Sequence, residues 1–345
     1  MHFENDAAFD RYPAFKEMTF DVVSRERNSI MAPRSAKKIQ EYQKENALAN
    51  EKEYFSGIHR MVIKDERLVP GQKPKPSKAA QDEDKDDGEQ IDAEFSQERD
   101  DTLQTDVEPA CLAFKHSGMD KTQDQVFIEG LLPILEKNFG LLTPKPDFVF
   151  GFKIDMFPSE LTPRLSNGVL QLIRVAPGIE HPFFVIEGKG SSGPIEEAEN
   201  QAIRSGAALV NARRLLQQKV LGVSQTETRA PDLASWVFSC AWVPRMAEIF
   251  VNWLEFNPNG EPYYHMNLIE TYVMNREGEI QAFRRAIHNI LDWGLQPARK
   301  QALDELLVGI AAAEEAAKEE KRAAEEDKKA EAKRQRAAKK AGKEA

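Results

Sequence analysis

The run HPFFVIEGKG at 181–190 constrains the fold more than any other part of the sequence. It is short and apolar and has turn residues at both ends, which is typical of a β-strand buried on both faces. A second run, PDFVFGFKI at 146–154, is aromatic and β-branched, and its proline stands at the start, where a missing N–H is tolerated. Such strands need helices on both sides. The two runs therefore predict an α/β domain with a mixed central sheet flanked by helices.

The next segment predicts a long helix over 194–218, with Pro194 in its first turn. At about 100° per residue, its small and apolar residues fall within one stripe roughly 80° wide, so this helix can lie close on a sheet. The stripe contains Ile195, Ala198, Ala202, Gly206, Leu209 and Leu216. A second stripe is polar, and its Gln201 borders the packing face. It contains Glu197, Gln201, Arg204 and Asn211.

Further along the chain, alternating and apolar runs predict three more strands, at 234–243, 248–256 and 262–274. Residues typical of turns separate them. Apolar residues at helical spacing then predict a last helix at 279–293. With the two strands and the long helix, these elements make up one domain, to which we assign residues 111–300.

Two elements are predicted before and between the first strands. Asp120 or Thr122 can cap a helix that runs to Lys137, with Pro133 expected to kink or end it. The apolar side of this helix would contain Phe127, Leu131, Ile134 and Leu135. The segment 161–177 is ambiguous, and we interpret it as a short helix.

The N-terminal extension, residues 1–70, has little apolar periodicity. We expect one helix over 36–55, capped by Ser35, and one short strand within 59–70. Residues 71–110 are rich in Asp, Glu, Gln, Lys and Pro and nearly lack apolar residues. Such a segment cannot bury enough surface to offset its ordering entropy, so it is predicted to be a disordered acidic linker.

The C-terminal tail, residues 301–345, becomes almost purely Ala, Glu, Lys and Arg from about residue 311. Favourable i,i+4 pairs such as Glu314–Lys318 predict a long charged helix. It lacks the Leu/Ile heptad of a coiled coil, so we expect a solvated single helix. The run KRQRAAKK at 333–340 is either a nuclear-import or phosphate-binding patch or a charged solubilising end.

Composition limits the compartment and the partners. The formal net charge is −10, so the 345-residue chain is not a basic nucleic-acid coat, although a local basic groove can still hold nucleic acid as a substrate. The chain has two cysteines, Cys111 and Cys240, which lie far apart in sequence, and this excludes a disulfide framework. They also lack metal-ligand spacing, which argues against a structural zinc site. No signal peptide and no apolar stretch of about 18 residues is visible. We therefore expect an intracellular protein, nuclear or cytoplasmic, without membrane contact.

The residues that carry chemistry lie at the ends of the two leading strands. Hydrolysis of a phosphodiester needs a divalent cation on oxygen ligands and a positioned water, and a nearby ammonium can offset charge in the transition state. Glu187 and Lys189 are two residues apart in a strand, so they project to one face, with the carbonyl of Gly188 between them. If the strands pair, Asp147 can face Glu187, and Glu129 on the preceding helix could add a carboxylate.

As a bare pattern, an Asp followed some forty residues later by Glu-x-Lys is weak, and surface salt bridges explain it as well. The surrounding order of elements strengthens it. A helix precedes the two strands, and a small-faced helix and another strand follow them, as a PD-(D/E)XK core requires. Arg204 is a candidate phosphate contact on the long helix, against the simpler interpretation of a solvated helix face.

The sequences PDFVFG at 146–151 and PFFVIEGK at 182–189 resemble the PD…EXK signature of the restriction-endonuclease-like superfamily. A closer resemblance is to a family of fungal proteins of unknown function with a PD-(D/E)XK nuclease-like domain, and it covers about residues 120–300. Its further matches are AENQ at 198–201, GAA at 206–208, VN at 210–211, YHMN at 264–267, FRR at 283–285 and NILDW at 289–293.

This resemblance implies that Asp147 and Glu187 bind Mg²⁺ or Mn²⁺ and that Lys189 is catalytic. Gln201 falls where nucleases of this superfamily often carry a glutamine. Gly188 departs from the usual apolar residue between Glu and Lys, but still allows ligation through its carbonyl.

We therefore expect a metal-dependent nuclease that hydrolyses phosphodiester bonds of DNA or RNA. The alternative is a catalytically inactive nuclease-like domain that acts as a nucleic-acid or protein interaction module. The sequence leaves the oligomeric state open.

Overall fold

A computed structural model describes residues 2–3, 6–26, 33–45, 62, 119–129, 131–132, 142–190, 193–222 and 235–344. Its centre is a seven-stranded sheet in the order β1-β7-β6-β5-β4-β3-β2. The strands are β1 (His2–Phe3), β2 (Met119–Gln123), β3 (Phe148–Phe152), β4 (Glu180–Gly188), β5 (Val237–Val243), β6 (Met246–Phe256) and β7 (Pro262–Val273). The pairs β4–β5 and β1–β7 are parallel and the other pairs are antiparallel, so the predicted mixed sheet is confirmed.

Helices cover both faces of this sheet. They are α1 (Asp6–Phe9), α2 (Pro13–Ser24), α3 (Pro33–Glu45), α4 (Asn167–Ile173), α5 (Ile195–Leu221), α6 (Glu277–Gly294) and α7 (Pro297–Glu344), with short 3₁₀ turns at Ile154–Met156 and Thr162–Arg164. Helix α5 connects the parallel strands β4 and β5, since parallel neighbours need a crossover. The predicted strand at 181–190, the helix at 194–218, the three later strands and the last helix are confirmed. The ambiguous segment at 161–177 contains α4.

The face opposite α5 is aromatic. Trp236 and Trp293 stack with their ring centroids 4.1 Å apart, and Phe238 meets Trp293 edge-on at 5.0 Å. The N-terminal helices belong to this same core, since Phe9, Phe15, Val22 and Val62 are buried in it with the aromatic residues of the strands. Asn289 on α6 donates from Nδ2 to the carbonyl oxygens of Val23 and Arg25, at 3.2 and 2.8 Å. Residues before the linker therefore complete the core of the sheet.

The other face is covered by α5, whose small residues let it lie close on the strands as predicted. Ala198, Ala202 and Ile203 pack with Ala241 and Phe250. At Gly206 the approach is so close that an added Cβ would overlap the side-chain amide of Asn252 on β6. A larger residue at 206 would therefore force the helix or the Asn252 side chain to shift.

The predicted helix from residue 120 to 137 is wrong at its start. Met119–Gln123 form the edge strand β2, with Met119 opposite Phe152 and Gln123 opposite Phe148. Phe127 and Leu131 are spaced like a helical stripe, but Phe127 lies in a loop where its N–H donates to the Pro144 carbonyl at 2.9 Å. Pairing with the open edge of β3 overrides the local helical pattern. Residues 133–137 lie outside the described part of the chain.

Two expectations for the N-terminal extension need correction. Helix α3 begins at Pro33, so Ser35 lies inside its first turn and is not its cap. The rest of the predicted helix, residues 46–55, lies outside the described part of the chain. Of the predicted strand at 59–70, the structure describes only Val62, which is buried and helical. The acidic linker at 71–110 lies wholly outside the described residues.

The predicted long charged helix is present as α7, 48 residues long. Leu303, Leu307 and Ile310 are buried against the domain, and every residue from 315 to 335 is exposed. In the described part of the chain, no helix is both long enough and apolar enough to cross a membrane.

Candidate active site

The two acidic residues of the predicted site meet at the end of neighbouring strands. Phe148 on β3 pairs with Ile186 on β4, and one step further along this register places Asp147 opposite Glu187. Asp147 is half-buried, and its Oδ2 accepts a hydrogen bond from the Gly188 N–H at 2.6 Å. The pairing that the sequence left conditional is therefore present, and it fixes the Asp147 carboxylate against the end of β4.

Glu187 is buried, with 3 % of its surface exposed, and it faces α5. Ser205 on that helix donates from Oγ to Glu187 Oε1 at 2.5 Å. Burial raises the pKa of Glu187 to about 8; the Ser205 hydrogen bond lowers it, the charge of Asp147 raises it, and Lys189 and Arg204 lower it. A carboxyl group in this environment lacks enough positive charge around it to ionise readily at neutral pH.

Lys189 directly follows the end of β4, and its charge lowers the pKa of Glu187, which shows that the two groups are near each other. Its backbone N–H donates to the Trp242 carbonyl at 2.9 Å, which extends the pairing with β5 by one residue. The turn after it is tight, since a Cβ at Gly193 would lie 2.7 Å from the Cβ of Lys189. The hydrogen bond to β5 and the close approach of Gly193 thus fix the position of the Lys189 backbone.

Helix α5 contributes the opposite wall of the site. Arg204 is half-buried, and its Nε donates to the Asn200 carbonyl at 3.0 Å. Gln201 is also half-buried and lies one helical turn before Ser205, on the same side of the helix. Sequence reasoning missed Ser205, although its spacing of four from Gln201 was a signal that could have placed it at the border of the packing face.

The third predicted acid, Glu129, is placed differently. Glu129 is exposed and lies in a loop, so its assignment to a helix is wrong.

Glu248 on β6 lies in the same row across the sheet as Glu187, with Ala241 of β5 between them. Two strand spacings put the backbones of Glu187 and Glu248 roughly 10 Å apart. Within the described residues, no three or more His, Cys, Asp or Glu side chains are grouped in a way that could hold a metal. The acidic part of the site is therefore the two carboxyl groups of Asp147 and Glu187.

The comparisons with known proteins add the family. A sequence profile described as "Domain of unknown function (DUF7924)" matches residues 38–307. The chain belongs to the DUF7924 family. The DUF7924 region contains every predicted site residue and ends within α7. No curated protein and no solved structure matches the chain.

Other polar residues on α5 of this DUF7924 chain hold the fold together. Asn211 donates from Nδ2 to the Leu131 carbonyl at 2.9 Å and accepts from the Tyr264 hydroxyl at 2.8 Å. Arg213 is buried, and its Nη1 lies 2.6 Å from Nδ1 of His181. Asn211 of the polar stripe therefore has a structural role, as does Arg213, whereas the charge of Arg204 acts on Glu187.

Proposed function

We propose that this domain hydrolyses phosphodiester bonds of nucleic acid with a Mg²⁺ or Mn²⁺ ion held by Asp147 and Glu187. The observation that supports it is the meeting of these two carboxylates across β3 and β4, with the charge of Lys189 acting on Glu187. Hard divalent cations accept a few oxygen ligands and keep several waters, so two carboxylates suffice.

The electrostatics of the pair fit a cation. The buried Glu187 has a raised pKa, and Asp147 beside it raises that pKa further. A divalent ion would favour the ionised form of both groups and would bind in exchange for a proton. When bound, the divalent ion would neutralise negative charge on the non-bridging phosphate oxygens.

The remaining residues have roles that follow from their chemistry. The Lys189 ammonium orients the attacking water and offsets negative charge in the transition state. Arg204 and Gln201 on the opposing wall contact the phosphate backbone, as a guanidinium and an amide commonly do. Ser205 positions the Glu187 carboxylate through its 2.5 Å hydrogen bond.

The order of elements also favours a PD-(D/E)XK type of nuclease. The acid-bearing strands β3 and β4 are antiparallel neighbours, and α5 follows β4 and leads to the parallel strand β5. The resemblance of PD at 146–147 and EGK at 187–189 to the superfamily signature supports the same function.

The test is cleavage by the purified full chain. Single-stranded and double-stranded DNA and RNA are incubated with Mg²⁺ or Mn²⁺, and cleavage is expected for at least one of them. Lys189→Ala should lower the rate at least about 100-fold, as expected for a residue acting in the transition state. Glu248→Gln, an acid in the same row two strands away, should leave the rate unchanged. Equal cleavage by wild type and Lys189→Ala would overturn the assignment.

One observation favours a second candidate, a nucleic-acid interaction module without turnover. Among the described residues, this site contains two carboxylates and lacks a third acidic ligand. The module predicts nucleic-acid binding without cleavage, and binding that Asp147→Asn does not change. Calorimetric titration with Mg²⁺ separates the two candidates, because only the nuclease requires Asp147-dependent metal binding.

A further inference from the structure

The distal part of α7 has no share in the core. At its base, the Ser166 N–H donates to Glu314 Oε2 at 2.6 Å, and Arg164 Nη2 lies 2.6 Å from Glu315 Oε2. From residue 315 to 335 every residue is exposed, and the helix continues to Glu344. Thirty residues of helix extend over roughly 45 Å. What this helix can bind is therefore decided by its charges.

Those charges are segregated along the helix. Residues 314–327 contain seven acidic and three basic residues, whereas residues 328–344 contain eight basic and two acidic residues. The net charge changes from −4 to +6 between these two parts, which we call the acidic half and the basic half of α7. An ordinary solubilising helix mixes both signs along its length, as in i,i+4 pairs. The segregation indicates a partner of one charge sign for the basic half.

The basic half is also one-sided. At about 100° per residue, seven of its eight basic positions fall within an arc of roughly 140°, and only Arg334 lies outside it. These seven positions are Lys328, Lys329, Lys333, Arg336, Lys339, Lys340 and Lys343. We call this arc the basic face. The positions outside the arc carry Ala, Gln, Gly, Glu and Arg334, without the bulky apolar residues that an interfacial membrane helix buries.

We propose that the basic face of α7 binds the phosphate backbone of nucleic acid. Charge complementarity carries the inference. A row of basic positions on one side of a helix matches a polyanion with a phosphate every few ångströms, and each contact releases condensed counterions. The inference deepens the proposed function and rests on it for the claim that the bound nucleic acid is also the substrate.

The helix is attached far from the carboxylate pair. A Cβ at Gly309 of α7 would contact Val220 near the end of α5, at 3.1 Å. Fifteen residues of α5 separate Val220 from Ser205, which is roughly 22 Å of helix. The base of α7 therefore lies at the end of α5 that is away from the carboxylate pair. We expect the basic face to contact nucleic acid outside the reacting bond, so its loss should weaken binding and raise KM while leaving kcat unchanged.

The test uses the full chain and a fluorescent DNA duplex, without divalent cations, by anisotropy at several salt concentrations. A triple variant on the basic face, Lys329→Gln, Lys333→Gln and Lys340→Gln, should bind at least about tenfold more weakly. The slope of log K against log salt should shrink by about 0.9 per lost contact. Glutamine is a good helix former, so the helix is retained, and far-UV circular dichroism checks this.

The matched control lies on the same helix. Lys318→Gln, Lys321→Gln and Arg322→Gln remove the same charge from the acidic half, and this triple should change binding less than twofold. A single-residue comparison is sharper still. Lys333→Gln should weaken binding and Arg334→Gln should not, although the two residues are neighbours in sequence.

Equal losses in the two triple variants would overturn the proposal, as would wild-type protein that does not bind the duplex. Binding of polyglutamate or of vesicles with anionic lipid as tightly as the duplex would also overturn it, because the partner would then be another kind of polyanion. The result is separable from the nuclease assay. Binding that depends on the basic face, without cleavage in the presence of any divalent ion, supports this inference while contradicting the proposed function.

Discussion

The two faces of the central sheet are built from opposite kinds of residue. The face toward α6 is filled by stacked aromatic side chains such as Trp236 and Trp293, which bury large apolar areas. The face toward α5 is filled by small residues and holds the buried Glu187 next to Asp147. One face therefore supplies stability, while the other loses some stability because it buries an ionisable carboxyl group near the end of the strands.

The largest expected effect tests the aromatic face. Trp293→Ala removes a ring that stacks on Trp236 at 4.1 Å, so it should lower the free energy of unfolding by about 3–5 kcal/mol. Urea denaturation measures the loss. Because Trp293 lies away from the α5 face, the Mg²⁺ affinity of the folded variant should be unchanged in calorimetry. A loss of Mg²⁺ affinity without a loss of stability would contradict the division between the faces.

The next effect has the opposite sign and tests the α5 face. The pKa of Glu187 is about 8 in the folded chain and near 4.5 ordinarily, so the folded state keeps a proton that the unfolded state loses. Stability is therefore full below about pH 4.5 and falls as the pH rises to about 8. Glu187→Gln removes this penalty and should stabilise the protein above pH 8 by on the order of a few kcal/mol.

Thermal denaturation at about pH 5 and about pH 9 measures this change. Glu197→Gln, at an exposed position on α5, serves as the control and should show no pH-dependent difference. Millimolar Mg²⁺ should raise the melting temperature of the wild type and leave that of Glu187→Gln unchanged. A variant that is less stable than wild type at alkaline pH would show that the burial of Glu187 carries no penalty.

A smaller effect tests how closely α5 approaches the sheet. Gly206→Ala puts a methyl group into the Asn252 amide and should destabilise the fold by about 1–3 kcal/mol through overpacking. Gly278→Ala on α6 is the matched control, since nothing lies within 4 Å of its added Cβ. This control should be neutral or stabilising by about 0.5–1 kcal/mol. Similar results for both variants in urea denaturation would show that the approach at Gly206 is loose.

The smallest effect concerns Ser205. Ser205→Ala removes the hydrogen bond that lowers the pKa of Glu187, so that pKa should rise and stability should fall by about 1 kcal/mol. Ser205→Thr keeps the hydroxyl and should restore the wild-type pH profile of unfolding. A pH profile of Ser205→Ala that matches the wild type would show that this hydrogen bond does not act on Glu187.

The parts of the fold that were predictable from sequence have strong local patterns. β4 is a continuous apolar run and α5 is a long small-faced helix, so their types followed directly. β2 was not predictable, because its MDKTQ sequence is polar and becomes a strand only by pairing with β3. Phe127 and Leu131 are spaced as in a helix, which led to the wrong prediction. The described residues between 124 and 132 form a loop, held by contacts such as that of Phe127 with Pro144.

The candidate site was predictable in its identity and less so in its geometry. Strand alternation predicts that Glu187 and Lys189 project to one face, and this prediction does not depend on how the rest of the chain folds. The position of Asp147 opposite Glu187 depends on the register of β3, which the sequence of neither strand specifies alone. Ser205 and the exposed loop position of Glu129 depend on how α5 and β2 dock, and no local period encodes that.

The contact between Gly206 and Asn252 has a consequence for how relatives of this chain diverge. The two positions share one volume, so a larger residue at 206 is tolerated only with a smaller one at 252. Asn252 also donates to Ser239 Oγ at 2.8 Å, so shrinking it leaves that hydroxyl without its donor. Across DUF7924 sequences we expect positions 206, 239 and 252 to change together, and an alignment should record that covariation as one evolutionary unit.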